Sequence, residues 1–204
     1  MLEFSVHNGG KMKRTLIALS LALPPAAASA LSPAETFMTP PIAGVSFLQA
    51  AMLDGTKLAL NGRGLRVKVV FKVYAAALYA EKTSQDPSHF LALPGPMRME
   101  LRFLRSVSGE DVAGAIGDGF AKNSSAAEMK KLSARLADFT GLIPDVKKGG
   151  ELSFLFRPGR GVEILSGDKS LGEIKGDDFS EGLLRVWLGE TPADAKLKKG
   201  LLGL

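Results

Sequence analysis

Arg66 carries the side chain in this sequence that is best suited to holding an anion. Its guanidinium stays charged at any ordinary pH, and its fork of N–H donors fits carboxylate or phenolate oxygens. Held on a rigid strand above an apolar cleft, it would bind strongly because little water would screen the charge. From the residues alone, an exposed strand arginine without a role is the simpler interpretation. Whether Arg66 binds an anion or is an exposed arginine without a role therefore depends on the elements around it.

The sequence has little material for other kinds of site. It contains no cysteine, and His7 and His89 are its only histidines, so thiolate chemistry is excluded and a Ser-His-Asp triad or a multi-histidine metal site is disfavoured. Residues 62–66 begin like a nucleotide-binding loop, but the third glycine and the helix that should follow are missing. We therefore predict no catalytic residue, no metal site and no cofactor.

The charge of the chain argues against a nucleic-acid partner. The net charge is +5 over 204 residues, and the acidic and basic residues are interleaved. Nucleic-acid-binding domains instead gather their bases on one face or along one helix. A solvated helix face explains the dense basic run Lys196, Lys198 and Lys199. No nucleic-acid partner is predicted.

Residues 1–30 have the pattern of a cleavable leader. A short positive stretch, the apolar residues 15–23 and then small residues up to Ala30 follow in the order of a secretory signal. The apolar run is too short to span a bilayer. We expect cleavage near Ala30 and a periplasmic or secreted protein. Met12 is an alternative to Met1 as the start of the chain.

The remainder of the chain is predicted to be one domain. Residues 31–42 contain proline, alanine and serine and are expected to be a flexible segment. Residues 43–204 show no internal repeat and no linker, and no stretch among them is apolar and long enough to span a membrane. Apolar residues make up 46% of the sequence, which is typical of a globular protein.

Short strand signals surround Arg66. Apolar runs and alternating patterns predict strands at 44–47, 57–61, 65–71, 73–80 and 97–104. The pairs Asp54-Gly55 and Asn61-Gly62 interrupt the first of these runs and favour hairpin turns, because both tolerate a positive φ. Apolar and charged residues alternate in 97–104, which predicts a strand with one face in water.

Helices and further strands complete the order of elements. Capping patterns predict helix starts at Ser108, Ser125, Asp177 and Thr191. Between the second and third helices, apolar runs predict a three-stranded meander at 152–156, 161–165 and 170–174. Strands and helices do not alternate as they do in a parallel sheet. The predicted fold class is therefore α+β, an antiparallel sheet with helices covering one face.

Several parts of the sequence resemble the chalcone isomerase family. Residues 60–66 contain its Gly-x-Gly-x-Arg hairpin pattern, and residues 71–81 continue as a strand that ends in an aromatic and an acid. The stretch 174–192 and the ending 197–203 are similar to the bacterial chalcone isomerase-like branch. The resemblance covers nearly everything after Ala43. It implies an open-faced β-sandwich whose helices cover a ligand cleft.

The resemblance gives Arg66 a role. Arg66 matches the family's cleft arginine, which stabilises an anionic substrate in plant isomerases and pairs with the carboxylate in fatty-acid-binding relatives. Tyr74 lies near the family's strand hydroxyl residue, and Lys72 is its rival if the register differs by two residues. Core packing is the alternative interpretation of Tyr74. The implied ligand is a small amphipathic anion, such as a fatty acid.

Three functions are left open. The first is binding without catalysis, the second is ring closure by an intramolecular lyase, and the third is a partner-docking module of the cell envelope. The resemblance implies that ring closure needs a tyrosine and an asparagine on the helix after the long strand, and a later hydroxyl residue. Asp111, Asp118 and Val186 stand near those places and do not supply the donors. Binding without catalysis is therefore the main prediction.

Overall fold

The sheet follows the order of the chain. The structure, a computed structural model, describes residues 37–204, in which one seven-stranded sheet has every neighbouring pair antiparallel. The strands are β1 Ala50–Leu53, β2 Thr56–Lys68, β3 Phe71–Ala80, β4 Met97–Phe103, β5 Glu151–Arg157, β6 Gly161–Ser166 and β7 Lys169–Lys175. The helices are α1 Pro87–Leu91, α2 Gly109–Asn123, α3 Ala126–Leu142, α4 Asp177–Leu188 and α5 Ala195–Leu201. This order confirms the predicted α+β class.

Alternation along the strands sorts side chains onto the two faces of the sheet. On β3, Ala76 and Leu78 join the main core, whereas Ala77 and Tyr79 belong to a smaller cluster on the other face. The main core also contains apolar side chains from each of the helices α1 to α5. The helices therefore cover one face, as the resemblance to an open-faced β-sandwich implied.

The other face of the sheet is less open to water than the alternation in β4 predicted. Glu100 is only 6% exposed there. Its carboxylate accepts a hydrogen bond from Arg102 Nε at 2.7 Å and forms an ion pair with Arg98 Nη2 at 3.1 Å. A carboxylate can be buried where cations pair with it. The prediction of a face in water is therefore wrong at Glu100.

One of the two predicted hairpin turns is correct. Asp54-Gly55 connects β1 and β2 as predicted. Asn61-Gly62 does not form a turn: it lies inside β2, where the pairing with β3 is irregular between Leu60 and Gly62. The turn between β2 and β3 is Val69-Val70 instead. The predicted strands 57–61 and 65–71 are thus mostly one long strand.

Packing of α5 explains the residues that resembled a turn. The amide of Asn61 exchanges hydrogen bonds with the backbone of Ser84 at 2.7 and 3.0 Å and donates to Leu201 O at 2.8 Å. A Cβ atom on Gly62 would lie 2.6 Å from Leu201 O and 2.8 Å from Gly203 N. The pair therefore lets the C-terminal helix lie directly against β2.

Two helices begin where the sequence predicted. The Ser108 side chain accepts a hydrogen bond from Asp111 N and caps α2. Ser125 and Glu128 form a full capping box at the start of α3, with bonds in both directions. These caps are local in sequence, so they can be predicted without the fold.

The other two predicted starts are displaced. Gly176 is the N-cap of α4, while the carboxylate of Asp177 accepts the N–H of Gly159 at 2.9 Å. Asp194, and not Thr191, caps α5. In both cases an aspartate carboxylate also contacts a distant part of the chain. Asp177 contacts Gly159 in the β5–β6 turn, and Asp194 contacts Val67 on β2.

Some predictions fall outside the described residues. These are the leader of residues 1–30, its cleavage near Ala30 and the choice between Met1 and Met12. Within the predicted flexible segment, residues 37–42 are described, and Thr39 N donates to Phe47 O at 2.8 Å. None of the helices in residues 37–204 has the length and hydropathy needed to cross a membrane.

Candidate functional site

The fold brings Arg66 and Tyr74 together. They are Cα partners on β2 and β3, and Tyr74 packs against the helix-side core. Partners on antiparallel strands point to the same face, so both side chains lie on the face that the helices cover. Lys72 is exposed and lies opposite Val67, nearer to the hairpin turn. It stands apart from the other two.

Arg66 is half-buried, and only one of its guanidinium nitrogens donates a hydrogen bond within the described residues. Its Nη1 donates to Val67 O at 2.7 Å and lies 3.8 Å from Asp194 Oδ2, and the side chain is 21% exposed. Within residues 37–204 its Nε and Nη2 donate to no protein group. An ion pair at this distance is weak, so the guanidinium keeps much of its capacity to bind an anion.

Asp194 places the start of α5 beside Arg66. Its Oδ1 accepts the N–H groups of Lys196 and Leu197 at 2.8 and 3.1 Å, which caps the helix. Its Oδ2 accepts the N–H of Val67 at 3.0 Å. Three backbone donors therefore share this carboxylate, and Arg66 is a fourth, more distant neighbour.

Tyr74 is linked to the core by a hydrogen bond from Trp187. The indole Nε1 donates to Tyr74 Oη at 3.0 Å. Trp187 is 1% exposed and packs against Phe154, and the ring of Tyr74 lies 5.6 Å from that of Phe103. Because Tyr74 Oη accepts from Trp187, its own proton remains available; in the described part of the chain it has no acceptor.

Burial keeps Tyr74 neutral. Removal from water raises the pKa of Tyr74 to about 12, although the hydrogen bond from Trp187 and the charge of Arg66 both act to lower it. The site therefore offers a permanent cation and a neutral hydroxyl donor side by side. Both are suited to a carboxylate or phenolate oxygen.

We predict that the two tyrosines of the chain resist ionisation in alkali. Burial raises the pKa of Tyr74 and also that of Tyr79, whereas an unfolded tyrosine ionises near pH 10. The contribution of Tyr74 to stability is thus complete below pH 10 and is lost as the pH rises towards 12. Phenolate absorbance during an alkaline titration measures this, with Tyr79→Phe leaving Tyr74 as the single signal. A midpoint near 10 in the folded protein would contradict it.

Two residues beside Arg66 and Tyr74 were not predicted from the sequence. One is Trp187, whose indole donates to Tyr74 Oη. The other is Asp194, which caps the last helix, whereas Thr191 was predicted as its start. A buried indole must find an acceptor, and this rule was the one available signal for Trp187.

The other family positions lie away from Arg66. Asp111 is exposed and accepts a hydrogen bond from the Ser108 hydroxyl at 2.7 Å, and Asp118 is also exposed. Val186 is buried against Gly119, where an added Cβ would lie 2.8 Å from its Cγ1. Among residues 37–204, no group of His, Asp or Glu could hold a metal ion.

Two cavities open elsewhere on the described surface. One of about 340 Å³ lies on the helix-free face of the sheet, beside Tyr79 and Arg98. The other, of about 660 Å³, is a groove between α2 and α3. Arg66, Lys72 and Tyr74 line neither of them.

Comparison with known proteins identifies the family. No curated protein matches the sequence. The fold is similar to that in the crystal structure of an Arabidopsis thaliana fatty-acid binding protein, with a TM-score of 0.61 and 18% sequence identity over 78% of this chain and 92% of that one. The family model described as chalcone isomerase-like matches residues 39–203. Because that match takes in every strand and helix described above, the chain belongs to the chalcone isomerase-like family.

Proposed function

We propose that this protein binds a small amphipathic anion, such as a fatty acid, without catalysing a reaction. The observation that carries the proposal is the pairing of Arg66 and Tyr74 on the face that the helices cover, where Nε and Nη2 of Arg66 and the hydroxyl of Tyr74 donate to no group among residues 37–204. The family and the fatty-acid binding protein of similar fold support it.

The anionic group would take the free side of the guanidinium. Asp194 comes closest to Arg66 at Nη1, at 3.8 Å, and among residues 37–204 Nε and Nη2 donate to no protein group, so a carboxylate can meet these two donors. The hydroxyl of Tyr74 would donate to the same carboxylate. A partly buried site makes these bonds stronger than they would be in water.

The apolar part of the ligand would lie against aromatic side chains. The ring of Tyr74 packs against Phe103, and its hydroxyl accepts a hydrogen bond from Trp187. The rings of Phe103 and Trp187 are both almost fully buried. Entry of a long chain therefore requires that neighbouring elements move. The short helix α5, which rests on β2, is the element that we expect to shift.

Native mass spectrometry and calorimetry with dodecanoate test the proposal. Arg66→Ala is expected to weaken binding by about ten- to a hundredfold, because a charge-assisted hydrogen bond is lost. Arg66→Lys is expected to restore little of this affinity, since lysine keeps the charge but not the fork. Arg160→Ala, which removes an exposed arginine paired with Glu173, is the matched control.

The same variants separate the three candidate functions. Unchanged dodecanoate affinity and unchanged melting in Arg66→Ala would refute the site. Chalcone cyclisation well above a buffer blank, abolished by Arg66→Ala, would favour the lyase instead. A protein that retains no lipid but captures one defined partner through this face would favour the docking module.

A further inference from the structure

The tip of the β2–β3 hairpin exposes a cluster of large apolar side chains. Val69 and Val70 form the turn and are 89% and 77% exposed, and Val67 and Phe71 beside them are also exposed. Single exposed apolar residues are common on protein surfaces, but a contiguous exposed group is typical of an interaction site.

The residues of this turn are unusual for a hairpin. The other hairpins among residues 37–204 turn through Asp54-Gly55, Pro158-Gly159-Arg160 and Gly167-Asp168, which are ordinary polar turn sequences. Val69 has φ 59°, the same value as Gly167 at the corresponding position of the β6–β7 turn. A β-branched residue strongly disfavours this conformation. Folding alone would therefore favour glycine at residue 69.

Cations surround the apolar tip. Lys68 and Lys72 lie on the last two pairs of the hairpin, and the guanidinium of Arg105 sits 4.8 Å from the centre of the Phe71 ring. The sequence contains no acidic residue from 55 to 80, so neither strand of the hairpin carries a negative charge near the tip. The one carboxylate that contacts the tip among residues 37–204 is Asp194, which accepts the N–H of Val67 and lies beside Arg66. The surface is therefore apolar and predominantly positive.

We propose that this hairpin tip docks on anionic membrane surfaces, with Val69, Val70 and Phe71 inserted among the lipid headgroups. Lys68, Lys72 and Arg105 then face the lipid phosphates. Apolar insertion combined with basic residues is the chemistry of reversible attachment to an anionic bilayer. The inference does not depend on the ligand proposed at Arg66.

Vesicle flotation tests the attachment. The full chain is expected to float with vesicles of phosphatidylcholine mixed with phosphatidylglycerol, less with phosphatidylcholine alone, and less again at high salt. Val69→Gly with Val70→Asn is expected to reduce binding by about tenfold or more, because the inserted apolar area is lost. Lys68→Gln with Arg105→Gln is expected to cost about fivefold for each charge. Every variant carries the same residues 1–36, so differences report the tip.

A matched control and a depth reading sharpen the test. Met52→Ser removes a side chain that is 62% exposed on β1 and is expected to leave binding unchanged. Because the chain has no cysteine, Val70→Cys and Met52→Cys each give a single site for an environment-sensitive dye. Only the dye at residue 70 is expected to report an apolar environment on vesicles.

Two results would overturn the proposal. One is vesicle binding that is absent, or that Val69→Gly with Val70→Asn does not change. The other is a wild-type dimer in solution that this double variant converts to a monomer, which would make the tip a contact between copies. Dodecanoate affinity in the same variant is a separate reading, so failure here leaves the Arg66 proposal untouched.

Discussion

Gly62→Ala is expected to destabilise the protein by about 3 kcal/mol, since forcing atoms into a filled space is costly. The added methyl group would meet Leu201 O at 2.6 Å and Gly203 N at 2.8 Å. Both are backbone atoms, which cannot rotate away as the end of a side chain can. Relief therefore requires that α5 move away from β2. Urea unfolding followed by circular dichroism measures the loss.

Gly114→Ala is the matched control for this prediction. Gly114 lies inside α2, where an added Cβ has nothing within 4 Å. Alanine is favoured over glycine in a helix by about 1 kcal/mol, so this variant is expected to gain stability. If Gly62→Ala were as stable as the wild type, α5 would not rest on β2 as closely as described.

Trp187→Ala is expected to cost about 3–5 kcal/mol, the usual range for removing a large aromatic side chain from a core. Trp187 is 1% exposed and its ring lies 5.6 Å from that of Phe154. The variant also removes the indole donor to Tyr74 Oη. Thermal and urea unfolding measure the total effect.

A double-mutant cycle separates the hydrogen bond from the packing. Trp187→Phe keeps most of the ring, and Tyr74→Phe removes the acceptor. The two changes together are expected to cost about 1 kcal/mol less than the sum of the single effects, because the bond can be lost only once. Additive effects would show that the bond contributes nothing to stability.

Local patterns predicted the parts of the fold that local chemistry determines. The caps at Ser108 and Ser125 and the existence of strand β4 depend on residues close in sequence, and the structure has them where they were predicted. Asn61-Gly62 was wrongly predicted to form a turn, because Asn61 instead contacts Leu201, which lies 140 residues further along the chain. Val69-Val70 could not be predicted as a turn, since neither residue has turn chemistry.

The positions of the candidate site residues on the sheet were predictable only in part. The resemblance placed Arg66 and Tyr74 on one hairpin, and the register makes them partners, whereas Lys72 lies nearer the turn. Trp187 reaches Tyr74 across 113 residues, and Asp194 reaches Val67 across 127. Contacts of this kind depend on how the helices pack, which no short motif encodes.

The packing of α5 against β2 also limits the order in which the parts of the fold can form. Asn61 cannot meet Leu201 in the interval before the last helix, 140 residues further along the chain, has docked. During that interval the rest of the sheet can pair strand by strand, because its order is that of the chain. The face of β2 with Gly62 and Arg66 meanwhile has no helix over it. If the ligand proposed at Arg66 is present while the chain folds, docking of α5 would enclose it as the last step, and the finished protein would not have to open.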